Sequence, residues 1–501
     1  MTSAPLPLRL SLQESVAYWA LYQPQKEALV AETVSLSYAA VAREVTQLRS
    51  QLRDLRLDRQ ASIGLCFSSQ MPLLLSLSAV LSEGHAATIL NPQVDPVALG
   101  SMIQDGDCVA VMTDHPPGVG TQVWSHCPTL SVPRASLVSE KFAAPQSLGE
   151  PAVRYARDTW GIIYTSGTTG RPKGIVRTDF SILMELLGWC LELPITRSST
   201  TYIGRPVYYT GGLLLAAATL LVGGTVLLPE EHSTERYRNW MASRSVDLVF
   251  LIPDQVRALV AATESWAQPW PSPRVLLTMG APIDTPTKRA VLDRLGCKYV
   301  ESWGNSEGLG TITAPEDVTE RPKSIGRPFL ADRMVVLGEA NLPAGVGEVG
   351  RLAGHADSAL REYRNRDDLN ASLIRGDLII SEDLGYRDAD GYYYLAGRVS
   401  ERIVRRGLPV FGRDIEEAVL RVQGIAEVVV VGLDDRDEGQ VPAALLVLRE
   451  EGAPSNQRLL AEINKVLTEP QKLRAVLAVP ALPRNAAGKV DIAASRALLA
   501  S

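Results

Sequence analysis

Over most of its length the chain alternates short apolar runs with stretches of helical periodicity, and that alternation restricts the fold more than any other feature. ASIGLCFS (61–68), AATILNP (86–92), CVAVMT (108–113), VDLVFL (246–251) and RVLLTMG (274–280) read as buried strands. Each lies near a helical pattern: residues 39–54 place apolar side chains at helical spacing, and an apolar helix is expected around Leu73–Leu81. Strand and helix in turn, from about residue 12 to 350, predict an α/β chain of largely parallel sheets covered by helices. At 501 residues the chain is too long for one core, and its texture changes near 350. YRDADGYYYLAGR (386–398) reads as a hairpin turning at Asp388–Gly391. After Arg398 comes a shorter pattern of helix 413–422, strands 426–433 and 443–448, helix 457–467 and strand 475–480. The expected domains are 1–397 and 398–501.

Composition narrows the function classes. Fifty basic residues against 56 acidic ones leave a net charge of −6, which argues for no nucleic-acid or anionic-membrane surface. The five cysteines (Cys66, Cys108, Cys127, Cys190, Cys297) form no CxxC pair, and His126 beside Cys127 is too little for a metal site. They read as buried free thiols. The N-terminal residues hold no continuous apolar run of the kind a signal peptide needs. LLLAAATLLVGGTVLL (213–228) is split by Gly223–Gly224 and too short to span a membrane, so it reads as buried helix, turn and buried strand. A cytoplasmic protein is expected.

The segment richest in chemistry is YTSGTTGRPKG (164–174), which follows the strand-like WGIIYT. It sets the hydroxyls of Ser166, Thr168 and Thr169 among Gly167 and Gly170. Backbone N–H groups and hydroxyls in such a loop can approach phosphate oxygens closely, with Arg171 and Lys173 adding charge. No Gly-Lys-Ser/Thr follows, so it is not a Walker A loop. Composition alone leaves a flexible surface loop as the other reading.

YTSGTTGRPKG resembles the phosphate-loop signature of the adenylate-forming superfamily, which includes acyl- and aryl-CoA synthetases, peptide-synthetase adenylation domains and beetle luciferases. The resemblance runs over nearly the whole chain, with further segments in the family's order, and its overall style is that of free-standing acid–CoA ligases. It implies a large N-terminal domain with a small β-barrel-like part, and a small mobile α+β C-terminal domain. ATP and AMP contacts are implied for Thr165, Ser166, Gly167, Thr168, Thr169 and Gly170. WGNSEG (303–308) is similar to the family's aromatic–Gly–x–Thr–Glu element. Trp303 there offers a flat face to adenine, followed by Gly304 and Asn305; Ser306 offers a hydroxyl to phosphate, and Glu307 a hard oxygen to Mg²⁺. Trp and Ser stand where Tyr and Thr are usual.

The resemblance also implies adenine contacts at Gly280, Ala281 and Pro282 in MGAPI, and ribose contacts at Asp383 and Arg398. Ser381-Glu382-Asp383 replaces the family's Thr-Gly-Asp. Ser400 occupies the hinge position. Gly407 would line a pantetheine tunnel, with Gly412 and Asp414 where Pro and Glu are usual. LPRNAAGKVD (482–491) resembles the element carrying the adenylation lysine, here Lys489. Taken without the family, Glu307 and Lys489 would be ordinary solvated charges. GVGEVG (345–350) spells GxGxxG but lacks a strand before it and a helix behind it, so it is read as a turn.

Attack of a carboxylate on the α-phosphate of ATP needs positioning and charge neutralisation more than a nucleophilic side chain. Lys489, Lys173, Glu307 with Mg²⁺ and the loop hydroxyls are the expected means. The acid pocket is expected from Tyr208, Tyr209, Gly211, Gly212, Met279, Trp303, Leu309 and Gly310, with Tyr209 between the acid and the thiol path. No Asp occurs in 207–212, which disfavours an α-amino acid. The aromatic residues suggest an aromatic or compact apolar acid, with a fatty acid as the other reading. The acceptor is expected to be CoA, with a phosphopantetheinyl carrier protein or a non-thiol use of the adenylate as alternatives. Arg402, Arg405 and Arg406 could meet either thiol carrier or merely solvate a strand edge. A homodimer is left open. A non-catalytic relative is the different-class alternative, and the presence of both Glu307 and Lys489 counts against it.

Overall fold

The computed structural model describes residues 10–115, 127–132, 151–165, 172–263, 272–281, 283–330, 332–449, 455–484 and 490–500. The chain divides into two compact units, Met1–Met334 with Gly354–Ile379, and Val335–Ala353 with Ile380–Ser501. The 397/398 boundary expected from sequence falls inside the second unit.

In the first unit, β1 (Glu27–Val30) and β2 (Ser35–Ser37) are followed by β3 (Ser62–Cys66), β4 (Ala86–Leu90), β5 (Cys108–Thr113), β6 (Thr129–Ser131), β7 (Thr159–Thr165) and β8 (Lys173–Thr178). Then come β9 (Thr200–Ile203), β10 (Thr225–Leu227), β11 (Leu248–Leu251), β12 (Val275–Met279), β13 (Lys298–Gly304), β14 (Gly310–Ile312) and β15 (Arg327–Pro328). Among the described residues they form two sheets. One runs β15-β14-β13-β12-β11-β9-β10-β1-β2. The other runs β8-β7-β4-β3-β5-β6, with the two-residue strand Glu362–Tyr363 added beside β8. The central pairings of both are parallel, as the alternation of strand and helix requires.

A helical layer lies between the sheets. A single apolar cluster joins Ile63 of β3 to Ile203 of β9 and Phe250 of β11 through the helices Gln70–Ser82 and Thr210–Leu221. Every residue of Gln70–Ser82 is buried, which explains why its sequence is apolar all round rather than on one face. The outer faces are covered too. Leu99, Met102 and Ile103 of the helix Pro96–Asp105 pack on Cys66, Leu90 and Val111. Tyr237, Trp240 and Val256, from the helices Thr234–Ser243 and Pro253–Ala262, pack on Tyr202, Val249 and Leu276. The run 213–228 is helix to Leu221, a turn and then β10, and no described helix is long and apolar enough to cross a membrane.

In the second unit the expected hairpin is present: Leu378–Arg387 pairs antiparallel with Tyr393–Arg398, and the Asp388 carboxylate accepts from the Asp390 and Tyr392 N–H groups in the turn. GVGEVG is a turn whose Gly347 N–H donates to the Arg387 carbonyl. Farther on, Ile425–Asp435 and Gly439–Leu448 pair antiparallel, and Ala475–Ala478 lies parallel to the latter. The helix expected over 413–422 is Gly412–Val419, closed by the Leu420 N–H turning back to Ala418 and Glu416. The strand expected over 475–480 stops at Ala478, ahead of Pro480, which has no N–H for the ladder.

Candidate functional site

The base of the glycine-rich loop is a β-hairpin. β7 and β8 pair antiparallel, and their register ends at Thr165 opposite Lys173. Ser166, Gly167, Thr168, Thr169 and Gly170 lie outside the described residues. Lys173 is buried. The preceding Tyr164 donates its hydroxyl hydrogen to Asp105 Oδ2 at 2.7 Å, which anchors the strand just before the loop. Burial, with Asp105 adding, holds that phenol well above its ordinary pKa.

A second turn joins β13 to β14. Trp303 pairs with Thr311 and Gly304 with Gly310, and Trp303 is buried. Asn305 closes the turn, its Oδ1 accepting from the Leu309 N–H at 3.0 Å while its own N–H donates to the Leu309 carbonyl. Gly308 has φ +98°, and a Cβ on it would stand 2.0 Å from the Ser358 carbonyl oxygen, so no other residue fits. The Ser306 hydroxyl lies 3.1 Å from that of Thr210. Glu307 is oriented through its Oε1, which accepts from the Tyr363 hydroxyl at 2.9 Å. Tyr363 itself pairs with Ile175 of β8, so Glu307 is tied to the strand that begins at Lys173.

Beneath this turn lies Arg177, which sequence reasoning missed. Its fully buried guanidinium donates to the carbonyls of Ser306 and Ser358, to Glu185 Oε2 at 2.7 Å and to the Ser181 hydroxyl. It therefore fixes the backbone just before Glu307 and that of Ser358, whose own hydroxyl donates to the Gly308 carbonyl. The signal was an arginine directly after the apolar pair Ile175–Val176 in the strand KGIVRT. Asp332 completes the layer by accepting from the Ser358 hydroxyl at 3.3 Å. Burial, reinforced by Glu185, pushes its carboxyl up to about 7.

The expected acid-pocket residues also gather. Tyr208 is buried, its ring centroid 4.8 Å from that of Tyr209, and burial pushes its phenol up to about 12. A Cβ on Gly211 would stand 2.7 Å from Met279 Sδ, and one on Gly212 would stand 2.8 Å from the Arg205 carbonyl. The approach of Gly212 to the Arg205 backbone requires glycine, whereas at Gly211 the Met279 side chain would have to move aside. Gly280 and Ala281 are exposed, and Pro282 lies outside the described residues. Leu309 is buried, and Gly310 faces Phe329, whose ring would be 2.8 Å from a Cβ there. Phe329 was not anticipated; it packs edge-on to Trp189.

In the second unit, Asp383 and Arg398 stand opposite each other in the hairpin, and Arg398 Nε donates to Asp383 Oδ1 at 3.0 Å. Ser381 uses its hydroxyl to accept the Asp383 N–H, which accounts for a serine at that place. Ser400 is exposed within the turn Val399–Glu401. Gly407 has φ +78° and no described heavy atom within 4 Å of a Cβ built on it. Arg405 and Arg406 both pair with Glu438. Lys489 lies outside the described residues.

Among the described residues no group of three or more His, Cys, Asp or Glu could hold a metal unaided. The single carboxylate of Glu307 fits a Mg²⁺ that takes most of its other ligands from nucleotide phosphates and water.

Comparison with known proteins gives a consistent assignment. A profile described as AMP-binding enzyme matches residues 16–364, and one described as AMP-binding enzyme C-terminal domain matches 414–489. The 2-succinylbenzoate–CoA ligase of Bacillus cereus is 24% identical over 489 residues, 96% of this chain and 98% of that protein. The sulfoacetate–CoA ligase of Cupriavidus necator is 30% identical over 334 residues, 66% of this chain and 65% of that protein. The solved o-succinylbenzoate coenzyme A synthetase of Bacillus subtilis, in complex with AMP, superposes with a TM-score of 0.84 at 21% identity and 97% coverage of both chains.

Proposed function

Since the chain belongs to the AMP-binding enzyme family, we propose that it uses ATP to activate an organic carboxylic acid and then passes the acyl group to a thiol, with CoA as the acceptor. The observation that carries this reading is the turn at Ser306–Glu307. Its carboxylate is aimed by Tyr363, and its backbone is fixed by the buried Arg177 of the strand that begins at Lys173. The relatives named as CoA ligases, which span nearly the whole chain or two thirds of it, support the acceptor.

In the first step an acid oxygen bonds to the α-phosphorus and the bond to the β-phosphate oxygen breaks, releasing pyrophosphate. No side chain becomes covalently attached. The protein's task is to hold two anions in line and offset their repulsion. Lys173, Lys489 and the hydroxyls of Thr165, Ser166, Thr168 and Thr169 supply donors for that purpose. Glu307 would hold Mg²⁺, which would supply positive charge to offset that on the departing pyrophosphate. Trp303, Gly280, Ala281 and Pro282 hold adenine, and Asp383 with Arg398 holds the ribose.

In the second step a thiolate attacks the acyl carbon, AMP leaves, and the hinge is at Ser400, with Gly407 on the thiol path past Tyr209. Rotation of this kind keeps water from an intermediate that it would hydrolyse. Because Arg405 and Arg406 are already paired with Glu438, we assign them to the strand edge rather than to the acceptor. We place the enzyme in the cytoplasm, where its unpaired cysteines stay reduced.

The test is to supply ATP, Mg²⁺ and a panel of acids and compare thioester formation on CoA, pantetheine and a phosphopantetheinylated carrier. CoA thioester is expected. Efficient carrier loading with negligible CoA product would overturn the acceptor, and pyrophosphate release with no thioester on any of the three would point to a non-thiol use of the adenylate.

A further inference from the structure

Three successive carbonyls of the turn after β13 are each held by a donor from elsewhere in the first unit. That of Ser306 accepts from Arg177, that of Glu307 from the Leu360 N–H at 2.7 Å, and that of Gly308 from the Ser358 hydroxyl at 2.8 Å. The last donor differs from the other two, because Ser358 Oγ also lies 3.3 Å from Asp332 Oδ1, at the start of the strand Asp332–Leu337. Two donations would take two hydrogens, and the hydroxyl has one.

The distances say where that hydrogen goes. A hydroxyl bonded to an ionised carboxylate stands about 2.5–2.7 Å from it, so the 3.3 Å contact is not of that kind, and Gly308 takes the hydrogen. The buried Ser358 oxygen can then only accept from Asp332, which requires a hydrogen on the carboxyl. The surroundings of Asp332 suit a neutral acid. Burial is the largest influence on it and lifts its pKa to about 7; Glu185, from the helix Asp179–Glu192, and Asp357 act in the same direction as anions. Bonds from the Ser358 hydroxyl and the Gly310 N–H oppose them. Arg177, the cation of this layer, is paired with Glu185 at 2.7 Å.

We propose that Asp332 is a positioning residue that works as the neutral acid: its O–H donates to Ser358 Oγ, and the Ser358 O–H donates in turn to the Gly308 carbonyl, next to Glu307. The proposal rests on the reading that Glu307 holds Mg²⁺. Loss of the proton leaves Ser358 between two acceptors, and a hydrogen turned towards the carboxylate releases the Gly308 carbonyl. The turn is then held at two carbonyls instead of three, and Glu307 meets Mg²⁺ less well. Support for the metal therefore declines as the pH rises, through a group that does not touch the metal.

The experiment measures ATP binding by calorimetry, with no acid substrate present, with and without Mg²⁺, at about pH 6 and about pH 8. It compares the wild type with Asp332→Asn, whose amide donates to Ser358 at either pH while its oxygen accepts from Gly310, and with Asp332→Leu, which can do neither. The gain in affinity from Mg²⁺ should agree between wild type and Asp332→Asn within about twofold at the lower pH, and be roughly three- to tenfold larger in Asp332→Asn at the higher one. Comparison at one pH cancels the titration of ATP itself. Asp332→Leu should fall below the wild type at the lower pH. A ratio of Asp332→Asn to wild type that is the same at both pH values overturns the proposal, as does an Asp332→Asn protein no better than Asp332→Leu. Urea unfolding reads the proton separately. An acid whose pKa is raised by folding binds its proton more tightly in the native state, so the wild-type midpoint relative to Asp332→Asn should fall as pH rises from the ordinary carboxylate range to about 7, then level off. Absence of that fall overturns the neutral acid, and this series decides should Asp332→Leu not fold. A wild type whose ATP binding Mg²⁺ does not strengthen at either pH would instead overturn the metal reading of Glu307, while the unfolding series still decides whether Asp332 carries the proton.

Discussion

Glu307 shows how much of a site one residue can reveal and how much it conceals. We propose its carboxylate as the hard oxygen donor for a Mg²⁺-nucleotide; glutamine would keep an oxygen for the Tyr363 hydroxyl while losing the charge. Glu307→Gln should therefore fold normally by circular dichroism, while the Mg²⁺ concentration for half-maximal activity rises roughly tenfold or more. An unchanged Mg²⁺ titration would remove Glu307 from the metal. WGNSEG made Glu307 legible in the sequence. It did not name Arg177 or Tyr363, which lie far along the chain from the turn they fix, because such contacts exist only after the sheets form. Arg177 left a trace, a charge directly after the apolar pair Ile175–Val176.

At the scale of elements, hydrophobic periodicity identified part of the helices and strands in both units, among them Tyr38–Asp54, Ser62–Cys66 and Gly439–Leu448, since each buries a face or a whole surface. It was weakest at element ends, where a cap or a proline decides, and it missed Glu362–Tyr363, a strand too short to have a period. That strand exists because β8 offers it an edge, yet it brings Tyr363 to Glu307. The turn Asn305–Gly308 is equally local and equally specific. Gly308→Ala meets both a left-handed φ and the Ser358 carbonyl, so it should cost about 2–4 kcal/mol in chemical denaturation and weaken Mg²⁺ dependence with it. Gly347→Ala, at φ +79° with no described atom near, should cost only about 1 kcal/mol and leave Mg²⁺ dependence alone. Equal losses in the two variants would show that the close approach at Gly308 does not fix the turn.

For the whole molecule, the α/β architecture was legible because strand–helix alternation permits few topologies, and the ordered motifs pointed to one family. The compact units divide elsewhere than the boundary expected from sequence, because strands within 335–353 and 380–398 belong by packing with the C-terminal residues, which a change of texture along the chain cannot show. The central claim concerns the molecule as a whole: this chain makes an acyl-adenylate. Acid-dependent exchange of labelled pyrophosphate into ATP, with no thiol present, measures that step alone. The wild type should catalyse exchange with at least one acid of the panel. Lys489→Ala should reduce it by about 10²–10³-fold while thioester formation from a supplied acyl-adenylate continues. A folded wild type that shows no acid-dependent exchange, or a Lys489→Ala enzyme that loses both half-reactions equally, would contradict it.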